Sequence, residues 1–88
     1  MEVKDLAEQL LYEGYVHLYV QDDGPNIDYP EHQHRAESAH IILCGEMSMT
    51  MNGETKTFRA GERCDLPAGV RHSAKTGPQG CRYLIGER

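Results

Sequence analysis

Three histidines within nine residues constrain this chain more than any other feature of its sequence. His32, His34 and His40 all occupy even positions of one short stretch. In an extended strand, side chains two residues apart point to the same face, so these imidazoles are expected to share a face. His72 ends a second patterned stretch that begins at Gly61. The rest of the chain is therefore expected to bring the two stretches together.

A pair of histidines with one residue between them suits a metal ion. In a strand that rises roughly 3.3 Å per residue, the backbone positions of His32 and His34 lie about 6.5–7 Å apart. Both rings can then converge on one ion through bonds of about 2.1 Å. Zn, Ni, Fe, Mn and Cu all accept imidazole, so the pattern predicts a divalent transition metal without choosing among them.

Both stretches resemble the motifs of the cupin superfamily. The fixed positions of the second motif, G-x5-P-x-G-x2-H, are occupied by Gly61, Pro67, Gly69 and His72. The first motif, H-x-H-x(3,4)-E-x6-G, is matched by His32, His34 and Gly45. The resemblance covers about residues 30 to 85 and looks most like the small single-domain cupins. It implies an all-β fold, a small double-stranded β-helix or jelly-roll barrel, and a homodimer.

The glutamate of the first motif is missing, because Ser38 occupies its position. A serine hydroxyl is too short and too weak a ligand to replace a carboxylate. His40 lies one pleat further on the same face and is predicted to be a substitute fourth ligand or a base beside the metal. Glu37 is the other candidate, although it needs a β-bulge to point inward. The remaining interpretation of His40 is a hydrogen-bonded cavity histidine. The predicted ligand set is His32, His34, His40 and His72.

The hydrophobic pattern predicts a short helix followed by about seven short strands. Apolar residues of the segment Val3–Tyr12 recur at the spacing of an amphipathic helix, which we expect to pack on the barrel or on a partner subunit. Turn signals every eight to ten residues, with Asn52-Gly53 the strongest, indicate a small all-β sandwich or barrel. One domain of 88 residues is expected, with the helix in residues 1–14 and the barrel in residues 15–88.

Side chains around the predicted site have competing interpretations. The first strand is predicted at Tyr15–Gln21, with the row Val16, Leu18 and Val20 facing the core and His17 at the surface or an interface. Cys44 shares the parity of His40, so it is either a nucleophile in the same cavity or, as is commoner, a small core residue. Tyr29 is a candidate for the mouth of the site. Met47, Met49 and Met51 alternate along one predicted strand. They are expected to fill the core or line the pocket, and a copper site is the less favoured interpretation.

Composition excludes several function classes. Nine basic residues stand against 14 acidic ones, and no basic patch suggests a nucleic-acid partner. No apolar run approaches the roughly 20 residues that cross a bilayer, and the first residues do not resemble a signal peptide. Three cysteines without a C-x2-C pair do not form a disulfide framework. A reduced, cytoplasmic protein is expected.

Two function classes remain from the sequence. Neutral imidazole ligands leave most of the charge of a divalent ion uncompensated, so the site favours an anionic ligand such as a carboxylate or an enolate. An open coordination position supports Lewis-acid or bound-water chemistry. The first class is therefore a metal-dependent enzyme on a small molecule, of the dioxygenase, isomerase or lyase type. The alternative is a metal or small-molecule binding module without turnover, and a purely structural cupin is a third option. Arg35 and Arg71 alternate with the ligand positions and are expected to face away.

Overall fold

One helix and six strands make up the chain in the computed structural model, which describes residues 2–88. In chain order they are α1 (Val3–Tyr12), β1 (His17–Asp23), β2 (Asp28–His32), β3 (Ser38–Met51), β4 (Glu54–Arg59), β5 (Arg63–Leu66) and β6 (His72–Glu87). All strand pairs are antiparallel. Among residues 2–88, no helix is both long and apolar enough to cross a bilayer.

The long strands β3 and β6 pair with each other along both layers of the fold. The first half of β3 pairs with the second half of β6, from Ser38 and Glu87 to Gly45 and Cys81. Beyond a break in register, the second half of β3 pairs with the start of β6, ending at Met51 and His72. Strands β1 and β5 extend the first of these pairings, and β2 and β4 extend the second. The result is the predicted all-β, two-layered barrel.

A contact between two glycines lets β3 and β6 pass from one layer to the other. Gly45 and Gly80 have φ values of 77° and 81°, a region that favours glycine. A Cβ atom on Gly45 would collide with the carbonyl oxygen of Gly80. Because the strands bend here instead of ending, segments predicted as separate strands are joined, and six strands form instead of about seven.

Two apolar cores lie on opposite sides of the first layer. The inner core joins side chains of both layers: Ile42, Met47, Met49, Cys64, Leu66, Cys81, Tyr83 and Ile85. The outer core lies between α1 and the sheet: Leu10, Tyr15, Ala39, Ile41 and Leu84. The helix therefore has the predicted bounds and packs on the barrel.

The prediction for the first strand was wrong about which face points to the inner core. Strand β1 begins two residues later than predicted, and Val16 and Val20 are 68% and 40% exposed. Leu18 packs against the outer core under α1, whereas Tyr19 lines the inner cavity. The helix covers the outer side of the sheet, so the aliphatic row faces that side. His17 is exposed, as expected.

Candidate metal centre

The ladder between β2 and β6 brings three histidines together. His32 is the Cα partner of His72, and His34 follows two residues after His32. The ring centroids of His32 lie 4.8 Å from that of His34 and 4.2 Å from that of His72, and the third separation is 5.3 Å. One ring nitrogen from each residue lies within 4.8 Å of the other two. These three residues, called the histidine trio below, could hold a metal ion.

Backbone carbonyls fix the tautomer of two rings in the trio. The Nδ1 atom of His32 lies 2.7 Å from the carbonyl oxygen of Pro30, and that of His72 lies 3.2 Å from the carbonyl oxygen of Val70. A carbonyl oxygen only accepts hydrogen bonds, so Nδ1 carries the proton in both rings. The lone pair then lies on Nε2, and a hydrogen bond of this kind commonly orients a metal-binding imidazole. The donor set therefore fits a divalent transition metal.

Burial also favours the neutral form of His72. The side chain is 4% exposed, and burial lowers its pKa. The hydrogen bond to Val70 raises that pKa, while positive charge on His32 and His34 lowers it. The net effect is a pKa below the ordinary value, so the nitrogen lone pair is available for a ligand bond at neutral pH.

A cavity of about 270 Å³ opens beside the trio. The three trio residues and His40 line it. Three tyrosines and the two methionines of the inner core line it as well: Tyr19, Tyr29, Tyr83, Met47 and Met49. Met47 and Met49 thus line the pocket and fill the core, as predicted, and Tyr29 also lines this cavity. Met51 is partly buried against the inner core and lines a different cavity. A second cavity of about 360 Å³, lined by residues of β3, β4 and β5, contains no histidine among its walls.

His40 lies beside the trio without belonging to it. It lines the same cavity, and its ring centroid is 5.9 Å from that of Tyr83. Burial, together with a smaller effect of positive charge on His72 and His34, lowers the pKa of His40 to about 4. Among residues 2–88, the buried side-chain atoms without a hydrogen-bond partner are His40 Nδ1 and Ser38 Oγ. A role for His40 as fourth ligand or base stays a prediction.

Glu37 lies on the other side of β3 from the cavity. Its carboxylate accepts a hydrogen bond from Arg88 Nη2 at 2.7 Å and one from Tyr15 Oη at 3.4 Å. The hydrogen bond from Arg88 lowers the pKa of Glu37. No bulge turns residue 37 inward, and Ser38 is the buried neighbour. These contacts tie the segment before β3 to the residues that underlie α1.

Both interpretations of Cys44 were wrong, because a bulge in β3 turns it outward. Ile42 pairs with Tyr83 and Cys44 pairs with Arg82, so Leu43 has no partner in this register. The extra residue shifts the alternation of side chains by one, and Cys44 is exposed. The other cysteines are buried, and burial raises the pKa of Cys64 and of Cys81 to about 11. Cys44 does not line the histidine cavity, and neither buried cysteine is an activated thiol.

Sequence reasoning missed a hydrogen-bonded group at the cavity wall. Asp23 Oδ2 accepts hydrogen bonds from Tyr29 Oη at 2.8 Å and from Tyr83 Oη at 2.6 Å. Asp23 Oδ1 accepts one from Gln21 Nε2 at 3.1 Å. Burial raises the pKa of Asp23, but these three hydrogen bonds outweigh it and the net shift is downward. The residues come from three strands, so no spacing in the sequence signals the group.

Fold and site together define a two-layered β-barrel with a histidine-lined cavity, and comparison with known proteins identifies the family. The model of the cupin domain family matches residues 14–85. The chain therefore belongs to the cupin domain family. No curated protein matches the sequence.

Solved structures agree with this assignment. The crystal structure of the DMSP lyase DddQ from Ruegeria pomeroyi is 30% identical with a TM-score of 0.74, and the match covers 81% of this chain but 36% of that one. The cupin domain of Cnp3 from Schizosaccharomyces pombe is 19% identical, with a TM-score of 0.76, covering 85% of this chain and 53% of that one. A cupin superfamily protein from Desulfitobacterium hafniense is 16% identical, with a TM-score of 0.74, covering 84% and 67%. The last two similarities concern the fold alone.

Proposed function

We propose that this cupin binds a divalent transition metal through His32, His34 and His72, with His40 as the fourth ligand, and acts on a small anionic molecule. The observation that carries the proposal is the fixed tautomer of His32 and His72 in a trio whose nitrogens lie within 4.8 Å of one another. Two backbone carbonyls hold the protons on Nδ1, which leaves the opposite nitrogens ready to bind an ion.

The anionic character of the ligand follows from charge. The trio and His40 supply only neutral donors, so a bound divalent ion keeps its charge. The walls of the adjacent cavity include neither lysine nor arginine among the described residues. When bound, the ion supplies Lewis acidity and a site for an oxygen ligand. The chain itself orients the ligand between the histidines and the tyrosines and keeps His40 unprotonated.

The two candidate functions differ in whether the protein converts its ligand into a product. The likeness to a DMSP lyase at 30% identity makes lyase chemistry on DMSP the first reaction to assay, ahead of dioxygenase and isomerase reactions. Because this chain spans 36% of that protein, the activity does not follow from the likeness. The alternative is a binding module that holds the metal and a small ligand without turnover.

The direct test is a titration of metal-free protein with Co(II), followed by the visible spectrum. The proposal predicts one equivalent of tightly bound Co(II) with the absorption of a site rich in imidazole, and a spectral change on addition of a carboxylate. A His34→Ala variant should lose the spectrum, whereas the matched variant His17→Ala should retain it because His17 is exposed outside the trio. A parent protein that binds no Co(II) would refute the proposal.

We also propose a homodimer in the cytoplasm. Three large apolar side chains at the end of α1 and just before β1 are exposed: Leu11, Tyr12 and Val16, at 55%, 88% and 68%. An interface here would cover them, since apolar surface favours contact with a partner. Sedimentation should show a dimer for the parent and a monomer for Tyr12→Lys combined with Val16→Lys. A parent that sediments as a monomer at micromolar concentration contradicts the dimer.

A further inference from the structure

The tyrosine wall of the histidine cavity has a defined polarity. Tyr29 and Tyr83 both donate their only hydroxyl proton to the same oxygen of Asp23, at 2.8 Å and 2.6 Å. A phenol oxygen that has donated its proton can only accept further hydrogen bonds. To any group that reaches them, the two hydroxyls therefore offer lone pairs and no proton.

Hydrogen bonds to both carboxylate oxygens hold Asp23 in this orientation. Gln21 Nε2 donates to Oδ1 at 3.1 Å, so the carboxylate cannot turn away from the tyrosines without losing a partner. Hydrogen bonds to a carboxylate are shorter and stronger than those between neutral groups. The arrangement Tyr29–Asp23–Tyr83, called the tyrosine–aspartate clamp below, is thus a rigid feature that links β1, β2 and β6.

The charge of the clamp is opposite to that of a metal at the trio. Asp23 carries a negative charge next to the hydroxyls of Tyr29 and Tyr83, and the walls of the cavity that these tyrosines line include no lysine or arginine among the described residues. Tyr19, Tyr29 and Tyr83 line the same cavity, and the face of a tyrosine ring attracts cations. His40 lies between the trio and the clamp. It lines the same cavity as the trio, and its ring centroid is 5.9 Å from that of Tyr83.

We infer that the tyrosine–aspartate clamp selects ligands with a cationic or hydrogen-donating group opposite their anionic end. The requirement for an anionic end rests on the proposed function, since the metal at the trio would attract that end of the ligand. The clamp adds the second requirement: an ammonium group, another organic cation or a hydroxyl donor that meets Tyr29 Oη and Tyr83 Oη. The substrate class is therefore a small dipolar molecule, and a dicarboxylate is disfavoured by the charge of Asp23.

Three probes of similar length distinguish this inference from simple carboxylate binding. They are 3-aminopropionate, propionate and succinate, each titrated calorimetrically into zinc-loaded protein of measured metal content. We expect 3-aminopropionate to bind about tenfold more tightly than propionate, in line with a hydrogen bond to a charged group, and succinate to bind most weakly.

Variants assign the preference to the clamp. Tyr29→Phe removes one acceptor oxygen and keeps the ring, so it should reduce the preference for 3-aminopropionate severalfold. Asp23→Asn should reduce it further, because an amide can donate to one tyrosine and free that hydroxyl proton for an anion. Tyr12→Phe is the matched control, since Tyr12 is 88% exposed on the helix and should leave all three affinities unchanged. Thermal melts confirm that each variant is folded.

The possible failures are distinct. Equal affinity for 3-aminopropionate and propionate in the parent, or no binding of any probe to zinc-loaded protein, overturns the inference while leaving the metal site intact. A preference that survives in both Tyr29→Phe and Asp23→Asn also overturns it. If the parent takes up no zinc, the proposed function fails, and the clamp is then tested on the metal-free protein with propylamine against propionate. Propylamine must then bind more tightly for the inference to stand.

Discussion

His32 and His72 face each other as Cα partners across the β2–β6 ladder, with ring centroids 4.2 Å apart. Each ring is held by the carbonyl oxygen of the residue two positions earlier, Pro30 or Val70. The same hydrogen bond, from Nδ1 to the carbonyl oxygen two residues earlier, therefore orients both rings. It fixes which nitrogen of each imidazole carries the proton and which keeps a lone pair for an ion.

Restoring a carboxylate at position 38 should strengthen metal binding. Ser38 is buried on the same face of β3 as His40, and a glutamate there can reach toward the trio and offset the charge of the ion. Ser38→Glu is expected to raise the affinity for zinc at least about tenfold, measured by competition with a chelator. Ser48→Glu is the control, because the Ser48 hydroxyl is hydrogen-bonded to Thr57 and Ser48 lines a cavity with no histidine among its described walls. Unchanged or weaker affinity in Ser38→Glu would show that position 38 does not face the ion.

His40 should make the metal-free protein sensitive to mild acid. Its pKa is about 4 in the fold against an ordinary value of 6.5, so the unfolded chain binds its proton more readily between these values. The free energy of unfolding should therefore fall as the pH is lowered from 6.5 toward 4, by an amount on the order of 3 kcal/mol, and this contribution should be constant below pH 4.

Urea denaturation at pH 7, 6, 5 and 4.5 checks this contribution in the absence of metal. His40→Leu should flatten the dependence on pH, leaving the part due to His72, whose pKa is also lowered. His17→Leu, at an exposed position, should keep the slope of the parent. Parallel curves for the parent and His40→Leu would contradict the assignment.

The corner at Gly45 should be the least tolerant glycine of the barrel. Both Gly45 and Gly53 have positive φ, at 77° and 75°, but a Cβ on Gly45 would meet the Gly80 carbonyl whereas one on Gly53 meets nothing within 4 Å. Gly53→Ala should cost about 1 kcal/mol from backbone strain alone. Gly45→Ala should cost at least about 2 kcal/mol more, because the strands must part. Equal unfolding free energies for the two variants would count against the corner contact.

Much of the fold and the trio could be predicted from local patterns and from the two stretches that resemble the cupin motifs. The even spacing of His32 and His34 and the glycine-proline turn before His72 place the trio, and the apolar period of Val3–Tyr12 matches the bounds of α1. The histidine spacing and the helical period depend on residues close in sequence, for which periodicity is a direct signal, whereas His72, distant from the other two histidines in sequence, was recognised by its motif.

Contacts between distant residues that no motif marks could not be predicted. One extra residue at Leu43 turns Cys44 to solvent, and nothing in the local sequence marks that bulge. The face of β1 was misassigned because α1 covers the outer side of the sheet, a tertiary contact. The tyrosine–aspartate clamp joins Asp23 to Tyr83 across 60 positions, and only the register of β1 against β6 brings them together.

Metal content is the most direct test of the central claim, which is that His32, His34 and His72 hold a metal ion. Untagged parent, His72→Ala and His17→Ala proteins are purified together and subjected to elemental analysis before and after dialysis against Zn, Ni, Mn or Fe(II). The account predicts close to one ion per chain in the parent and in His17→Ala, and little or none in His72→Ala. A parent that neither carries nor takes up any of these metals would contradict the account, and so would a His72→Ala protein that retains the full metal content.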